Sequence, residues 1–382
     1  MASLAGACGT SFGVWRGRAH ALPAFGYAYR EDLRGRAAHV ILLRVPDARA
    51  MGAALPEGLL VGHRSDREGW TGCTVVLPQE GAVAACEVRG GGPGTRETDL
   101  LSPAASAPGA DAILLTGGSA FGLAAADGVM AYLAERGIGY AAPAGVVPRV
   151  AAAVVYDLGL GSAAARPDAE AGYAACTAAG RSAARGSVGA GTGCTVGKIL
   201  GPEGWTKGGL GFASDELADG TALAALAVVN AFGDVVAEDG SILAGVWEDG
   251  AYARTLALLR AGKGHPPPRD QSTTLVCVLT DARLTKTEAW LVARAASSGV
   301  ARAVEPSGTA VDGDVVYCVA TGLLEADLLA VSALAADVAA DAIRDGVRHA
   351  SGAPGCPAAG ERNRGAAVGP GRSTSAGVST NR

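Results

Sequence analysis

Few residues in this 382-residue chain have both the type and the setting for chemistry. Lys198 closes the run Gly189-Ala190-Gly191-Thr192-Gly193-Cys194-Thr195-Val196-Gly197-Lys198, which looks at first like a phosphate loop. That pattern requires glycine at 192 and Ser or Thr at 199, where Thr192 and Ile199 stand, so nucleotide binding is not supported. A glycine-rich turn between strands is the plain alternative. It leaves the lysine unexplained, because a lysine in so tight and apolar a context points to a pocket. Gly117-Gly118-Ser119-Ala120-Phe121-Gly122 misses the nucleophile elbow, which needs glycine at 121. Ser119 is therefore expected to cap a helix. Asp312-Gly313-Asp314 places two carboxylates about a flexible turn, and reads equally as an ordinary turn or as a functional pair. The remaining ligands of a calcium loop are missing around it. The five histidines, His20, His39, His63, His265 and His349, have no metal-like spacing. Neither histidine catalysis nor a bound metal or organic cofactor is expected.

Without histidine or metal, one economical route to a nucleophile remains. Cleavage just before a Thr or Ser frees an α-amino group on the residue that carries the hydroxyl. That amine has an ordinary pKa of about 7.7–8.0 and serves as a general base near neutrality. Ser272-Thr273 has the required residues. It stands where a polar, proline-rich stretch, AGKGHPPPRDQS (261–272), runs into the strand-like Leu275–Thr280. The stretch reads as an exposed linker. A linker that ends directly at a buried strand is an odd domain boundary and suits a place where the chain is cut.

The elements that must position these residues alternate between strand and helix. Cys73–Pro78 and Ala82–Val88 read as two strands of a hairpin turning at Gly81. Asp111–Thr116 reads as a buried strand leading to a helix that begins at Ser119 and ends near Gly137. Thr221–Asn230 and Val315–Ala320 are further strand-like runs. Thr285 and Glu288 form a capping box that opens a helix, and Ala326–Val347 is a long amphipathic helix. Long helices mixed with antiparallel strands imply sheets packed against helix layers.

Composition narrows the class. Apolar residues make up 49% and charged residues 18%, too apolar for disorder over most of the length. The net charge of −5 does not favour a nucleic-acid partner, and no apolar run is long enough for a membrane span. Eight dispersed cysteines without a CxxC signal neither zinc nor a disulfide framework, and free thiols in the cytoplasm are the simplest reading. The ends differ from the middle: residues 1–50 carry +4 and 352–382 carry +3, leaving −12 for 51–351. Residues 1–58 read as a poorly patterned extension, with translation from Met51 as one expectation. Residues 59–351 read as one catalytic domain, and 352–382 as a disordered tail.

Six stretches carry a family resemblance: TGCTVVLPQEGAVAACEVRGGGPGTRETDLL (71–101), LLTGGSAFGLAAADGVMAYL (114–133), VGAGTGCTVGK (188–198), KGGLG (207–211), STTLVCVLTDARLTK (272–286) and VDGDVVYCVATG (311–322). In this order they resemble the P1-family peptidases, the DmpA-like aminopeptidases whose relatives include β-peptidyl aminopeptidases and nylon-oligomer hydrolases. The resemblance implies a four-layer αββα sandwich similar to that of N-terminal-nucleophile hydrolases. It implies self-cleavage between Ser272 and Thr273, with both fragments staying together as partners. It implies Thr273 as nucleophile, Lys198 as the lysine beside it, Asn230 as an oxyanion donor, Asp312 and Asp314 as residues orienting the new N-terminus, and Tyr156 as a pocket residue. The implied substrate is a short peptide or small amide with a free amino end, and the implied assembly is a homo-oligomer of processed pairs. Ser272 departs from the Asn or Gly that often precedes the cut, and it offers a competing hydroxyl that would move the cut to Gln271-Ser272. The Asp-Gly-Asp pair and the Thr nucleophile look closer to the nylon-oligomer hydrolases than to the Ser-nucleophile aminopeptidases. Two other readings stay open: acyl transfer of the ornithine acetyltransferase type, and a binding protein with a degenerate site.

Overall fold

A computed structural model describes residues 54–264 and 271–367, and two short strands nearer the N-terminus. Those two strands, Ala28–Glu31 and Ala37–Val40, pair antiparallel with each other and belong to a unit separate from the rest. Met51 and residues 265–270 of the expected linker lie outside the described residues.

In the second unit the strands that frame the core are β1 (Leu59–Asp66), β2 (Thr71–Pro78), β3 (Val83–Val88), β4 (Thr95–Arg96) and β5 (Ala112–Thr116). They continue with β6 (Val150–Val154), β7 (Gly209–Glu216), β8 (Ala222–Asn230), β9 (Thr273–Ala282) and β10 (Val315–Leu324). One five-stranded sheet has the order β1-β2-β5-β6-β4, and the other β7-β8-β9-β10-β3. Each is antiparallel except for one central parallel pair, β5 with β6 and β9 with β10.

The two sheets stack face to face. Alternation along each strand sorts its side chains between two cores. In β9, Leu275, Cys277 and Leu279 join Ile113, Leu115 and Leu226 between the sheets. Val276 and Val278 face the other way, onto helices α3 (Lys286–Ala303) and α4 (Leu328–Arg348). On the far side, α1 (Ala125–Ala134) and α2 (Ala169–Thr177) cover Val75, Leu114 and Ala152. The architecture is the expected αββα sandwich. No helix among the described residues is long and apolar enough to cross a membrane.

Four local expectations change. The hairpin at Gly81 does not form: β2 pairs with β1 and β5, whereas β3 pairs with β10 in the opposite sheet. Both strands are rich in buried residues, so each finds partners inside its own sheet and the chain crosses between layers at the turn. Ser119 is not a helix cap; it has a φ of 53° and opens a 3-10 turn that runs into α1. Its amide instead donates to the Val155 oxygen at 3.0 Å. Ser272 is fully buried rather than part of an exposed linker.

The fourth change concerns the tail, which is structured as far as helix α5 (Ala359–Ala367). Cys356, Ala358 and Ala359 are buried there, and Pro357 accepts a hydrogen bond from the Lys207 amide at 3.0 Å. Glu361 holds the segment by accepting from the Ala358 amide. At the other end the core already begins before β1. Leu55 is buried, and Arg181 donates to the Leu55 and Pro56 oxygens.

The capping box forms as expected. Thr285 Oγ1 accepts from the Glu288 amide at 3.3 Å, and Glu288 returns a bond from the Thr285 amide at 2.7 Å. Thr285→Ala is expected to cost about 1 kcal/mol in chemical denaturation, the usual worth of such a cap.

Candidate active site

Strand register sets the site. Asn230, the last residue of β8, lies directly opposite Thr273, the first residue of β9. On the other side Ser272 bridges Asp312 in parallel, and β10 follows at Val315 opposite Leu275. Asn230, Ser272-Thr273 and Asp312-Gly313-Asp314 therefore share one end of the sheet. Lys198 and Tyr156 arrive from loops. The Lys198 amide donates to the Phe232 oxygen just beyond Asn230, and Tyr156 follows β6 by two residues. All seven residues expected from the sequence are thus near one another.

The bond between Ser272 and Thr273 is held in a specific setting. Thr273 Oγ1 donates to the Ser272 oxygen at 2.6 Å, and the same oxygen accepts the Gly313 amide at 2.7 Å. A hydroxyl thus sits beside the carbonyl preceding it, with a backbone donor already on the oxygen. Gly313 permits this approach because a Cβ there would stand 2.8 Å from Thr273 Oγ1 and 2.6 Å from the Gly92 oxygen. The competing hydroxyl of Ser272 is buried and has no hydrogen-bond partner among the described residues.

The carboxylates are held by amides. Asp314 Oδ1 accepts from the Thr274 amide at 2.7 Å and Oδ2 from the Gly308 amide at 3.0 Å. Asp312 accepts from the Phe232 amide and from both the amide and hydroxyl of Thr309. Burial, with the negative charge of Asp312 beside it, pushes the Asp314 carboxyl well above the usual range. Asn230 is also held in place: Oδ1 accepts from the Thr195 amide and Nδ2 donates to the Tyr156 oxygen, each at 3.0 Å. The NH₂ retains a second hydrogen for another acceptor.

Two buried lysines flank the site with different surroundings. Lys198 Nζ donates to the Gln271 oxygen at 2.7 Å and the Asn230 oxygen at 3.0 Å. It thus grips the main chain around the Ser272–Thr273 bond rather than the Thr273 hydroxyl. Burial lowers its pKa to about 8, against the opposing pull of Cys194, Asp312 and Asp157. Lys207 donates to the oxygens of Gly191, Cys194 and Gly208, and burial likewise lowers its pKa.

A small cavity of about 10 Å³ adjoins Lys198, lined also by Tyr156, Asp157, Leu160, Trp205 and Gln271. Sequence reasoning did not single out Asp157, Trp205 or Gly313 as site residues. Asp157 had a signal, being a lone carboxylate in the apolar run that contains Tyr156; Trp205 had none. Asp157 accepts from Thr71 Oγ1 and the Gly118 amide, each at 2.7 Å, and so ties the Gly117-Gly118-Ser119 turn to the cavity wall.

A hydroxyl beside a polarised carbonyl, a buried lysine and paired acids thus share one end of a double-sheet sandwich. Residues 57–358 match the sequence profile of peptidase family S58. The chain belongs to that family. It is 41% identical over 341 residues to an uncharacterised aminopeptidase of Mycobacterium tuberculosis, covering 78% of this chain and 94% of that protein. It is 29% identical over 313 residues to a 6-aminohexanoate-oligomer endohydrolase of a Kocuria species, covering 76% and 84%. The fold is similar to that of a Burkholderia β-aminopeptidase, with a TM-score of 0.61 at 22% identity over 82% of this chain and 92% of that one. It is also similar to an L-aminopeptidase D-Ala-esterase/amidase of Ochrobactrum anthropi, a variant of the Ntn-hydrolase fold. That TM-score is 0.60 at 19% identity, covering 82% and 94%.

Burial raises the Asp157 pKa from 3.8 to about 6. The folded protein therefore keeps a proton there that the unfolded chain releases above pH 3.8. Stability falls as pH rises through that window and is level above it. Asp157→Asn, which does not titrate, is expected to gain roughly 3 kcal/mol relative to wild type between the two limits. Denaturation of both proteins across that pH range measures it.

Proposed function

We propose that the chain is a self-processing amidohydrolase that uses an N-terminal threonine to hydrolyse short peptides or small amides with a free amino end. One observation carries this reading: Thr273 Oγ1 lies 2.6 Å from the oxygen of the carbonyl it would attack, and the Gly313 amide already holds that oxygen. Attack of Thr273 Oγ on the Ser272 carbonyl carbon gives a tetrahedral centre whose oxyanion the Gly313 N–H stabilises. Its collapse breaks the bond from the Ser272 carbon to the Thr273 nitrogen, leaving an ester and a free amine. Water then hydrolyses the ester to a Ser272 carboxylate and a mature Thr273. Ser272 does not compete, since its hydroxyl has no partner among the described residues to direct or activate it.

Before the cut there is no α-amine, so another group must take the Thr273 proton. Lys198 is the candidate for this step: its buried Nζ, with a pKa lowered to about 8, lies 2.7 Å from the Gln271 oxygen just ahead of the bond, and in its neutral form would take that proton and return it to the departing Thr273 nitrogen. After the cut the Thr273 amine acts as base, with the buried pair Asp312 and Asp314 orienting it. The spare hydrogen of Asn230 and the Gly313 amide hold the substrate oxyanion, and Tyr156 lines the acyl pocket. The relatives support this substrate class: some are called aminopeptidases and others hydrolyse 6-aminohexanoate oligomers. The described cysteines are all unpaired and buried, which suits a reducing cytoplasm.

Wild type is expected to run as two fragments on a denaturing gel, with Thr273 at the N-terminus of the smaller. Thr273→Ala should run as one band and hydrolyse no amide. A fully cut Thr273→Ala protein overturns the mechanism. Self-cleavage should accelerate as pH rises through about 8, where the Lys198 amine becomes neutral. Lys198→Arg, cationic throughout, should stay uncut across the same range. A pH-independent rate in wild type removes Lys198 as the base.

A further inference from the structure

Between β3 and β4 the chain crosses from one sheet to the other, past the polar end where the site lies. The crossing segment, Arg89-Gly90-Gly91-Gly92-Pro93-Gly94, has no part in the chemistry above. Its first four amides all donate to the segment 309–314. Arg89 and Gly90 both bond the Asp314 oxygen, at 2.8 and 3.2 Å. Gly91 bonds the Thr309 oxygen at 3.2 Å, and Gly92 the Asp312 oxygen at 2.9 Å. At the far end the Gly94 oxygen accepts from the Val154 amide at 3.0 Å, which ties this strap to β6.

The first two glycines serve closeness rather than turning. Neither Gly90 nor Gly91 has the left-handed φ that favours glycine. A Cβ on Gly90 would stand 2.2 Å from the Asp312 oxygen and 2.4 Å from the Asp314 nitrogen, so it would crowd the peptides on both sides of Gly313. A Cβ on Gly91 would instead meet Ala310, 2.8 Å from its oxygen.

The Gly92 bond does more than brace the loop. The Asp312 oxygen and the Gly313 nitrogen belong to one planar trans peptide, whose C=O and N–H point in opposite directions. An amide that holds the oxygen therefore aims the hydrogen. That hydrogen is the one bonded to the Ser272 oxygen, at 2.7 Å. The Gly92 N–H, the Asp312–Gly313 peptide and the Ser272 carbonyl thus form a chain of hydrogen bonds in which each polarises the next.

We propose that the strap 89–94 positions the oxyanion donor: the Gly92 amide aims and polarises the Gly313 N–H, and the bare Cα of Gly90 lets the strap lie close enough to do so. The inference rests on Thr273 being the nucleophile. Gly90 and Gly92 are positioning residues, since both act through Gly313. The same donor serves self-cleavage and, once Ser272 has left, the substrate oxyanion. Damage to the strap therefore slows both steps and spares substrate binding.

The test follows self-cleavage of freshly translated chain on a denaturing gel, read as a first-order rate constant, and then kcat and KM of the mature protein on alanyl p-nitroanilide. Gly90→Ala should slow self-cleavage at least about tenfold. It should lower kcat by a similar factor with KM within about threefold, the split expected when a donor to the transition state is displaced. Gly91→Ala, whose added carbon meets Ala310 instead, should stay within about threefold of wild type on each measure. Glycolic acid in place of Gly92 exchanges its N–H for an ester oxygen without added bulk, and should slow self-cleavage about fivefold. Equal slowing in Gly90→Ala and Gly91→Ala overturns the inference, as does an unchanged rate in the glycolate chain. If Gly90→Ala does not fold, the glycolate chain decides alone. Wild type that cuts, with variants that cut as fast, sinks only this inference. Wild type that never cuts sinks it along with the nucleophile assignment.

Discussion

The pairing register of β9 is the constraint on which the rest of the site depends. All ten residues of Thr273–Ala282 are buried, and the strand is bonded on both edges. Its odd-numbered apolar residues belong to the core between the sheets and its even-numbered ones to the helix-facing core. A slip of one residue would exchange those faces and strand every side chain in the wrong core. The register that satisfies both cores also sets Thr273 opposite Asn230 and Ser272 beside Asp312. Packing of apolar residues well away from the site therefore fixes the geometry of its polar end.

The two buried lysines show how similar charges in similar burial serve different ends. Each is taken out of water, and each replaces hydration with carbonyl oxygens. Lys207 has three such oxygens, all on the glycine-rich loop or the adjoining strand, so its cradle is complete and internal. Lys198 has two, and one belongs to Gln271, on the segment ahead of the Ser272–Thr273 bond. On the proposed reading, cutting the chain breaks the continuity that holds Gln271 in place. Lys198 then loses a partner that Lys207 cannot lose. On that reading the difference would make Lys198 a chemical group and Lys207 a structural one, although their positions in the sequence, each in a glycine-rich run, look alike.

Much of this was legible in the sequence, and what was not has identifiable causes. Strands and helices with strong patterning appeared close to where expected, and the capping box at Thr285 named its helix start correctly. The Ser272-Thr273 junction stood out because a polar, proline-rich stretch met an apolar run at a Ser-Thr pair. Partner choice among buried strands was not legible. Nothing in Cys73–Val88 says that its two strands belong to opposite sheets, because both are apolar and the turn between them is short. Residues 353–363 looked disordered because they are poor in large apolar side chains. Small residues such as Cys356 and Ala358 bury easily, and backbone bonds through Pro357 and Glu361 hold them, which composition does not report. Trp205 was invisible for a related reason, since its place depends on that segment and on a glycine 46 positions earlier in the chain.

On the proposed reading the uncut site is nearly sealed, its adjoining cavity holding about 10 Å³, and the seal follows from the same contacts that would prepare the cut. The Gly313 amide is occupied by the Ser272 oxygen and the Lys198 ammonium by the Gln271 oxygen. These are donors an amide hydrolase needs for its substrate. On the proposed reading the precursor presents its own chain as the first substrate, in the place where later ones must lie. In the proposed mechanism one event performs two tasks: it creates the amine that makes Thr273 a competent nucleophile, and it removes the carbonyl that fills the oxyanion position. In that mechanism the site could not act on other amides before acting on itself, because the Gly313 donor is already bound to the carbonyl that must be attacked first.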